Sequence, residues 1–234
     1  MRVLAFIPAR AGSKSIEHKN MALLGEEHLI TYCIEALKDS PIVDKVCSTD
    51  SETVANLARR KGIEVLDRPK HLAKADTPIG KVLTNFIDTY YGQDEERHDA
   101  IALIQPTSPF LTPYQITQCI TRLKEEPDLQ SVQTVCKVPH NYHAWNQRVL
   151  RQGRIEWAYP QREWAYNKEK KPALYKFGNL VITRTESLTR GDVFAQPSGA
   201  VVIGLYDSLD IDGKDDLAMA DALIKDNLLG LWES

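Results

Sequence analysis

Short apolar segments alternate with segments of helical periodicity through the first half of the chain. The apolar segments, which predict strands, are residues 3–7, 43–48, 63–66 and 100–104. The periodic segments, which predict helices, are residues 28–38, 51–61, 78–91 and 113–124. Ser51 and Pro78 are residue types that favour the start of a helix. This alternation predicts an α/β fold with a mostly parallel sheet and helices on both of its faces.

The pattern loosens after residue 129. Residues 131–137, 179–183 and 200–205 predict further strands, and residues 214–225 predict a closing helix. Between residues 140 and 176 aromatic residues are frequent and periodicity is weak. Because such long irregular stretches are uncommon in compact domains, we expect an excursion from the sheet: a β-ribbon, a lid or a dimerisation arm. We therefore predict one domain over 1–234, with an insertion at about 138–178 that serves dimerisation or the second substrate.

Composition narrows the possible partners. The 29 basic and 32 acidic residues give a net charge of −3, without the basic excess of most nucleic-acid binders. No apolar run reaches the roughly 18 residues of a membrane span, and the first run breaks at Pro8, too early for a secretory signal. The cysteines lack C-x-x-C pairs and zinc-site spacing, which favours free buried thiols in a reducing cytoplasm. We expect a cytoplasmic protein without nucleic-acid or membrane partners.

The segment 8–20 directly follows the first predicted strand. In open α/β sheets this is the edge where ligands bind. The segment offers one glycine, two hydroxyls and three cations, namely Gly12, Ser13, Ser15, Arg10, Lys14 and Lys19. Backbone N–H groups and cations in such a loop suit a polyphosphate, although a basic surface loop remains the alternative. The glycine patterns of a Walker A loop and of a dinucleotide-binding loop are both missing.

Polar clusters follow three other strands and are expected at the same edge. They are Ser48-Thr49-Asp50, Asp67-Arg68-Pro69 and Gln105-Pro106-Thr107-Ser108-Pro109. Structural roles remain open for each cluster. Asp50 is also suited to cap a helix, Asp67 to form a salt bridge with Arg68 or a neighbour, and Thr107 or Ser108 to cap the next helix.

The sequence Asp210-Ile211-Asp212 is the last candidate for chemistry. In an extended backbone both carboxylates point to the same side, where they repel each other unless a cation lies between them. Mg²⁺ or Mn²⁺ is the natural partner of such oxygens in a phosphate site. Alternatively, Asp212 caps the helix from 214 and Asp210 is merely solvated.

Together these segments resemble the CMP-sialic acid synthetases (acylneuraminate cytidylyltransferases), including the CMP-legionaminate and CMP-pseudaminate enzymes. Residues 7–20, I-P-A-R-A-G-S-K-S-I-E-H-K-N, match every fixed position of that family's opening pattern. The family's S-T-D, R-P-x-x-L-A with D-T, Q-P-T-S-P and D-I-D follow at 48–50, 68–77, 105–109 and 210–212. The order and spacing hold along nearly the whole chain.

The resemblance implies a Rossmann-like nucleotidyltransferase fold, a homodimer, CTP as co-substrate and Mg²⁺ (or Mn²⁺) as metal. The CTP contacts it implies are Ala9, Arg10, Ala11, Gly12, Ser13, Lys14, Asn20, Asp50 and Arg68. The catalytic residues are Arg10, Lys19, Asp210 and Asp212, and the last two also hold the metal. The sugar contacts are Gln105, Thr107, Tyr175 and Lys176, with Tyr142, Trp145 and Lys168 as further candidates. For the aromatic and lysine residues of the insertion, packing in a dimer is the alternative.

The implied reaction is transfer of CMP from CTP to the anomeric hydroxyl of a nine-carbon α-keto acid sugar, with release of pyrophosphate. The second half departs from the family. Pro78-Ile79 replaces a serine pair, Leu111 an arginine, and Phe177-Gly178-Asn179 the family's N-G-A. Two alternatives therefore stay open: a CMP-KDO-type synthetase and a non-catalytic nucleotide-binding homologue. The KDO enzymes usually have S-T-R where this chain has Gly12-Ser13-Lys14.

Overall fold

The computed structural model describes residues 1–92, 96–160, 163, 167 and 169–226. The strands within these ranges are β1 (Val3–Pro8), β2 (Leu23–Leu24), β3 (Glu27–His28), β4 (Asp44–Thr49), β5 (Glu64–Asp67), β6 (Ala100–Ile104), β7 (Ser131–Lys137), β8 (Arg148–Arg151), β9 (Arg154–Trp157), β10 (Tyr175–Arg184) and β11 (Ser198–Ile203). The α-helices are α1 (Leu29–Ala36), α2 (Glu52–Arg60), α3 (Ile79–Tyr91), α4 (Pro113–Glu125), α5 (Thr185–Leu188) and α6 (Lys214–Lys225).

Seven strands form one sheet in the order β11-β7-β10-β6-β1-β4-β5. Only β10 runs against the others, so the prediction of a mostly parallel α/β sheet is confirmed. Because β10 is antiparallel, its first residue, Tyr175, pairs with Lys137 at the carboxyl end of β7. The start of β10 therefore lies at the same edge as the loops that follow the parallel strands.

Alternating side chains of β1 enter two different cores. Ala5 and Ile7 pack with α1, α2 and α4 on one face, whereas Leu4 and Phe6 pack with α3 and α5 on the other. This alternation is the period-two geometry of a strand buried on both faces. The predicted helices on both faces are thus confirmed.

Local sequence signals set the helix starts. The Ser51 hydroxyl accepts from the Val54 N–H at 3.4 Å and caps α2. Thr112 and Gln115 form a reciprocal capping box at the start of α4. The β2–β3 hairpin and the short helix α5 were not predicted. Both elements are too short to carry a recognisable periodicity.

The insertion between β7 and β10 leaves the main sheet, and β8 and β9 form a separate antiparallel ribbon there. The Arg148 guanidinium lies 4.3 Å from the centre of the Trp157 ring. A β-ribbon was among the predicted forms of this excursion. Its role as a dimerisation arm stays a prediction, and Lys168 lies outside the described residues.

A third core lies at the carboxyl edge of the sheet. There α6 packs on the β2–β3 hairpin, and Ile211, at 0% exposure, is buried between the two aspartates that flank it in sequence. The Gly25 N–H donates to the Asp221 carboxylate at 3.0 Å and joins the hairpin to α6.

The four cysteines are free and buried, as predicted. Burial raises the pKa of the Cys47 thiol to about 12, so this group is protonated and inert at neutral pH. In the part of the chain that the structure describes, no helix is long and apolar enough to cross a membrane.

Candidate active site

A cleft of about 250 Å³ opens at the carboxyl edge of the sheet, beside the ends of β1 and β6. Its lining comprises Pro8, Arg10, Gly12, Ser13, Lys19, Asn20, Arg68, Leu72, Lys74, Ala75, Thr77, Ile79, Val82, Gln105, Pro106 and Thr107. Among the described residues, the lining contains no acidic side chain and four cationic ones, namely Arg10, Lys19, Arg68 and Lys74. Hollows of about 740 and 1220 Å³ lie elsewhere, but the described residues around them include none of the predicted site residues. Charge thus favours the smaller cleft as the site for a polyanion.

Two hydrogen bonds fix the position of the loop after β1. The Ala11 N–H donates to the Asp50 carboxylate at 2.7 Å, and the Asn20 side-chain amide donates to the Arg10 carbonyl at 2.9 Å. Ser51 rather than Asp50 caps α2, so the capping alternative for Asp50 is wrong. Asp50 therefore fixes the shape of the loop that presents Arg10 to the cleft.

Arg68 is a cation buried to 7% exposure. Its Nε and Nη2 donate to the hydroxyl and the carbonyl of Ser48, at 3.2 and 2.9 Å. Burial lowers the pKa of Arg68. The negative charge of Asp50 raises this pKa, and the positive charge of nearby Arg10 lowers it further. The guanidinium is hydrogen-bonded to Ser48, and it forms no ion pair with Asp67, which was one of the partners proposed for that aspartate.

Lys19 connects the loop after β1 with the D-I-D segment. Its ammonium donates to the carbonyls of Ile211 and Asp212 at 2.9 and 3.4 Å, and lies 3.5 Å from the Asp212 carboxylate. The Asp216 carboxylate instead accepts from the N–H groups of Asp212 and Gly213, at 3.0 and 2.8 Å, at the start of α6. The alternative in which Asp212 caps this helix is therefore wrong, and the Asp212 carboxylate faces the Lys19 ammonium.

Asp210 lies next to the same cleft. Partial withdrawal from water raises the pKa of its carboxyl, and the charge of Asp212 raises it further. A hydrogen bond with the Thr107 side chain and the charge of Lys19 act in the opposite direction. The Thr107 backbone carbonyl accepts from the Ile211 N–H at 2.8 Å, which joins the D-I-D segment to the loop after β6.

These residues fit a hard divalent cation. Two aspartates that repel each other supply oxygen ligands beside a cationic cleft. Among the described residues no cluster of three or more His, Cys, Asp or Glu is arranged for a metal. Mg²⁺ commonly completes such a set with water and substrate phosphates, so the pair suits a metal that arrives with a polyphosphate.

Comparison with known proteins identifies the family. Residues 4–194 match the family described as Cytidylyltransferase. The chain belongs to this family. It is 30% identical to the CMP-N,N'-diacetyllegionaminic acid synthase of Legionella pneumophila subsp. pneumophila, over 97% of this chain and 98% of that protein. An N-acylneuraminate cytidylyltransferase of Escherichia coli O18:K1:H7 is 33% identical over 58% of this chain, which spans only 31% of that longer protein.

The fold of this chain also occurs among solved structures. A CMP:2-keto-3-deoxy-manno-octonic acid synthetase complexed with CTP superposes with a TM-score of 0.72 at 13% identity. The match covers 97% of this chain and 100% of that chain. It shows a shared Rossmann-like nucleotidyltransferase fold.

Half of the predicted site residues line the cleft. Those in the lining are Arg10, Gly12, Ser13, Lys19, Asn20, Arg68, Gln105 and Thr107. Ala9 and Ala11 support the loop through their backbone N–H groups, which bond to Ser48 and Asp50, and Lys14 is exposed outside the lining. Neither Tyr175 nor Lys176 lines the cleft, although both lie at the same sheet edge.

Sequence reasoning missed two residues. Lys74 lines the cleft as a fourth cation, at a variable position inside the R-P-x-x-L-A…D-T motif. Asn179 is buried at 0% exposure where the family pattern has an alanine. That departure was visible in the sequence, but the contacts of the asparagine depend on three other elements.

Proposed function

We propose that this chain transfers CMP from CTP to the anomeric hydroxyl of a nine-carbon α-keto acid sugar and releases pyrophosphate. The sugar is of the sialic, legionaminic or pseudaminic type, since a relative matched over 98% of its length is named a CMP-N,N'-diacetyllegionaminic acid synthase. The observation that carries the proposal is Lys19, which joins a cationic phosphate cleft to a pair of aspartates.

The sugar hydroxyl attacks the α-phosphorus of CTP in line, and the bond to pyrophosphate breaks. Such transfers depend mainly on positioning and on stabilisation of charge. Arg10, with Gly12 and Ser13 of the loop, binds the phosphates and stabilises the departing pyrophosphate. Two of the three N–H donors of Lys19 go to the Ile211 and Asp212 carbonyls, so at most one is available to a phosphate, and Lys19 acts on the phosphates mainly through its charge.

The cytosine and the metal have separate places in this arrangement. Leu72, Ile79 and Val82 form the apolar side of the cleft and pack against the base. Asp210 and Asp212 hold Mg²⁺ or Mn²⁺, which when bound supplies positive charge to the phosphoryl oxygens. Lys19 keeps Asp212 in place through its 3.5 Å ion pair.

We propose a cytoplasmic homodimer in which the insertion at about 138–178 forms the dimer contacts and approaches the sugar site of the partner subunit. Free buried thiols are consistent with a reducing compartment. The exposed side chains of Leu150 and Ile155 on the β8–β9 ribbon offer apolar surface for such contacts.

The test is release of pyrophosphate from CTP and Mg²⁺ with sialic, legionaminic, pseudaminic and KDO acids. We expect release with one nine-carbon acid, a loss of about 100-fold or more in Arg10→Ala, and no Mg²⁺-dependent release in Asp212→Ala. Arg59→Ala, on the exposed side of α2, is the control and should keep full activity.

Release with KDO alone would instead favour the KDO-type alternative. Binding of CTP without release on any acid would favour a non-catalytic homologue. The intact Arg10, Lys19, Asp210 and Asp212 argue against that second outcome.

A further inference from the structure

Strand β10 sends two side chains to the segment that precedes the aspartate pair. The Lys176 ammonium donates to the Ser208 carbonyl at 2.9 Å. The Asn179 side-chain amide donates to the Asp207 carbonyl at 3.0 Å. Two consecutive carbonyls just before Asp210 are thus anchored to the antiparallel strand of the main sheet.

Asn179 is itself held by its surroundings. Its amide also donates to the Gln115 side chain of α4 at 2.9 Å, and its carbonyl oxygen accepts from the Thr134 hydroxyl at 3.0 Å. A Cβ on the neighbouring Gly178 would lie 2.6 Å from that hydroxyl, so this part of β10 approaches β7 too closely for another residue. A buried polar group with all its partners in place has little freedom to move.

The far side of the aspartate pair is anchored independently. Lys19 binds the carbonyls of Ile211 and Asp212, and Thr107 binds the Ile211 N–H. With this side fixed, the repulsion between the two carboxylates can be relieved only by a shift of Asp210, which has one hydrogen bond of its own with the Thr107 side chain, and of the residues before it. The β10 anchors act on those preceding residues.

We propose that Lys176 and Asn179 are positioning residues that hold the Asp210–Asp212 pair in the geometry for the divalent cation. The Lys176 ammonium then serves the D-I-D segment and not the sugar carboxylate. This inference rests on the proposed function. Groups that orient metal ligands from behind typically contribute 10- to 100-fold to metal affinity.

The test compares Lys176→Met, which keeps an apolar stem without the donor, with Lys176→Arg, which restores a cationic donor. Lys137→Met is the matched control, because it removes a positive charge at the end of the paired strand β7 without a contact to the segment. The measured quantity is the factor by which Mg²⁺ tightens binding of CTP in calorimetry. The half-saturating Mg²⁺ concentration in pyrophosphate release is measured alongside.

In Lys176→Met we expect this tightening factor to fall about tenfold, with metal-free CTP binding within twofold of the wild type. Arginine should restore most of the loss, and Lys137→Met should behave as the wild type. Asn179→Ala should show a larger loss, but the Lys176 variants decide the outcome if it does not fold.

An unchanged Mg²⁺ effect in Lys176→Met, together with a raised KM for the sugar, would overturn the inference and make Lys176 a sugar contact. An equal loss of CTP binding with and without Mg²⁺ would also overturn it, since the role would then be general structure. If the wild type shows neither CTP binding nor a Mg²⁺ effect, the proposed function itself fails.

Discussion

Removal of the Asp50 carboxylate tests how the phosphate loop is built. Its oxygen accepts the Ala11 N–H at 2.7 Å, and this bond joins the loop after β1 to the end of β4. Asp50 does not line the cleft. Asp50→Ala should therefore loosen the loop first, and weaken CTP binding only as a consequence.

The size of the effect follows from this single bond. Hydrogen bonds to charged groups contribute about 1.5–3 kcal/mol, and this one is exposed to water, so we take the lower end. About 1.5 kcal/mol corresponds to roughly a tenfold change in an equilibrium constant. We expect roughly tenfold faster hydrogen exchange at the Ala11 amide. The rise in the Kd for CTP should be smaller, because loss of the Asp50 charge also leaves the cleft around Arg68 more cationic.

Hydrogen exchange of the CTP-free protein is the decisive measurement, with calorimetry for CTP as the second. Asp39→Ala removes an exposed carboxylate after α1 and serves as the control. Asp50→Asn keeps an acceptor and should recover part of the protection at Ala11. Weaker CTP binding with unchanged exchange at Ala11 would refute the reasoning, because Asp50 would then act on CTP directly.

Three further predictions follow from other contacts. Lys74→Ala should raise the KM for CTP several-fold with little change in kcat, because it removes one cation from the lining. Lys70→Ala, which changes a lysine outside the lining, should leave the KM unchanged, and equal effects of the two substitutions would contradict this role for Lys74. Gly80→Ala should lower the free energy of unfolding, measured in urea, by about 1–3 kcal/mol, because the added Cβ would lie 2.5 Å from the Gly191 carbonyl oxygen. An unchanged free energy of unfolding would show that the chain around Gly80 and the chain around Gly191 move apart freely. The raised pKa of Asp210 in the metal-free protein means that its carboxylate is present above that pKa and lost as pH falls through it, so Mg²⁺ binding should weaken there. A Mg²⁺ affinity that stays constant as pH falls to the ordinary aspartate value of 3.8 would argue against this assignment.

Much of the fold was readable from periodicity and composition. The strand at 100–104 and the helix at 214–225 occur with the predicted bounds, because an all-apolar run and a capped amphipathic run are local signals. The strand predicted at 179–183 extends over Tyr175–Arg184. Its first residues are polar and exposed, and only pairing with β7 makes them strand, which no local pattern indicates.

The motif residues were readable as types, because phosphate and metal chemistry needs cations, small loop residues and carboxylates in any fold. Their separate tasks were decided by the tertiary structure. Asp50 supports a loop, Asp216 and not Asp212 caps α6, and Lys176 binds a backbone carbonyl. Each task depends on a hydrogen-bond partner at least three residues away in the sequence. For Asp50 and Lys176 the partner is more than thirty residues away. A sequence determines which donors and acceptors a chain carries, but burial and pairing across the sheet determine which of them are left for a ligand.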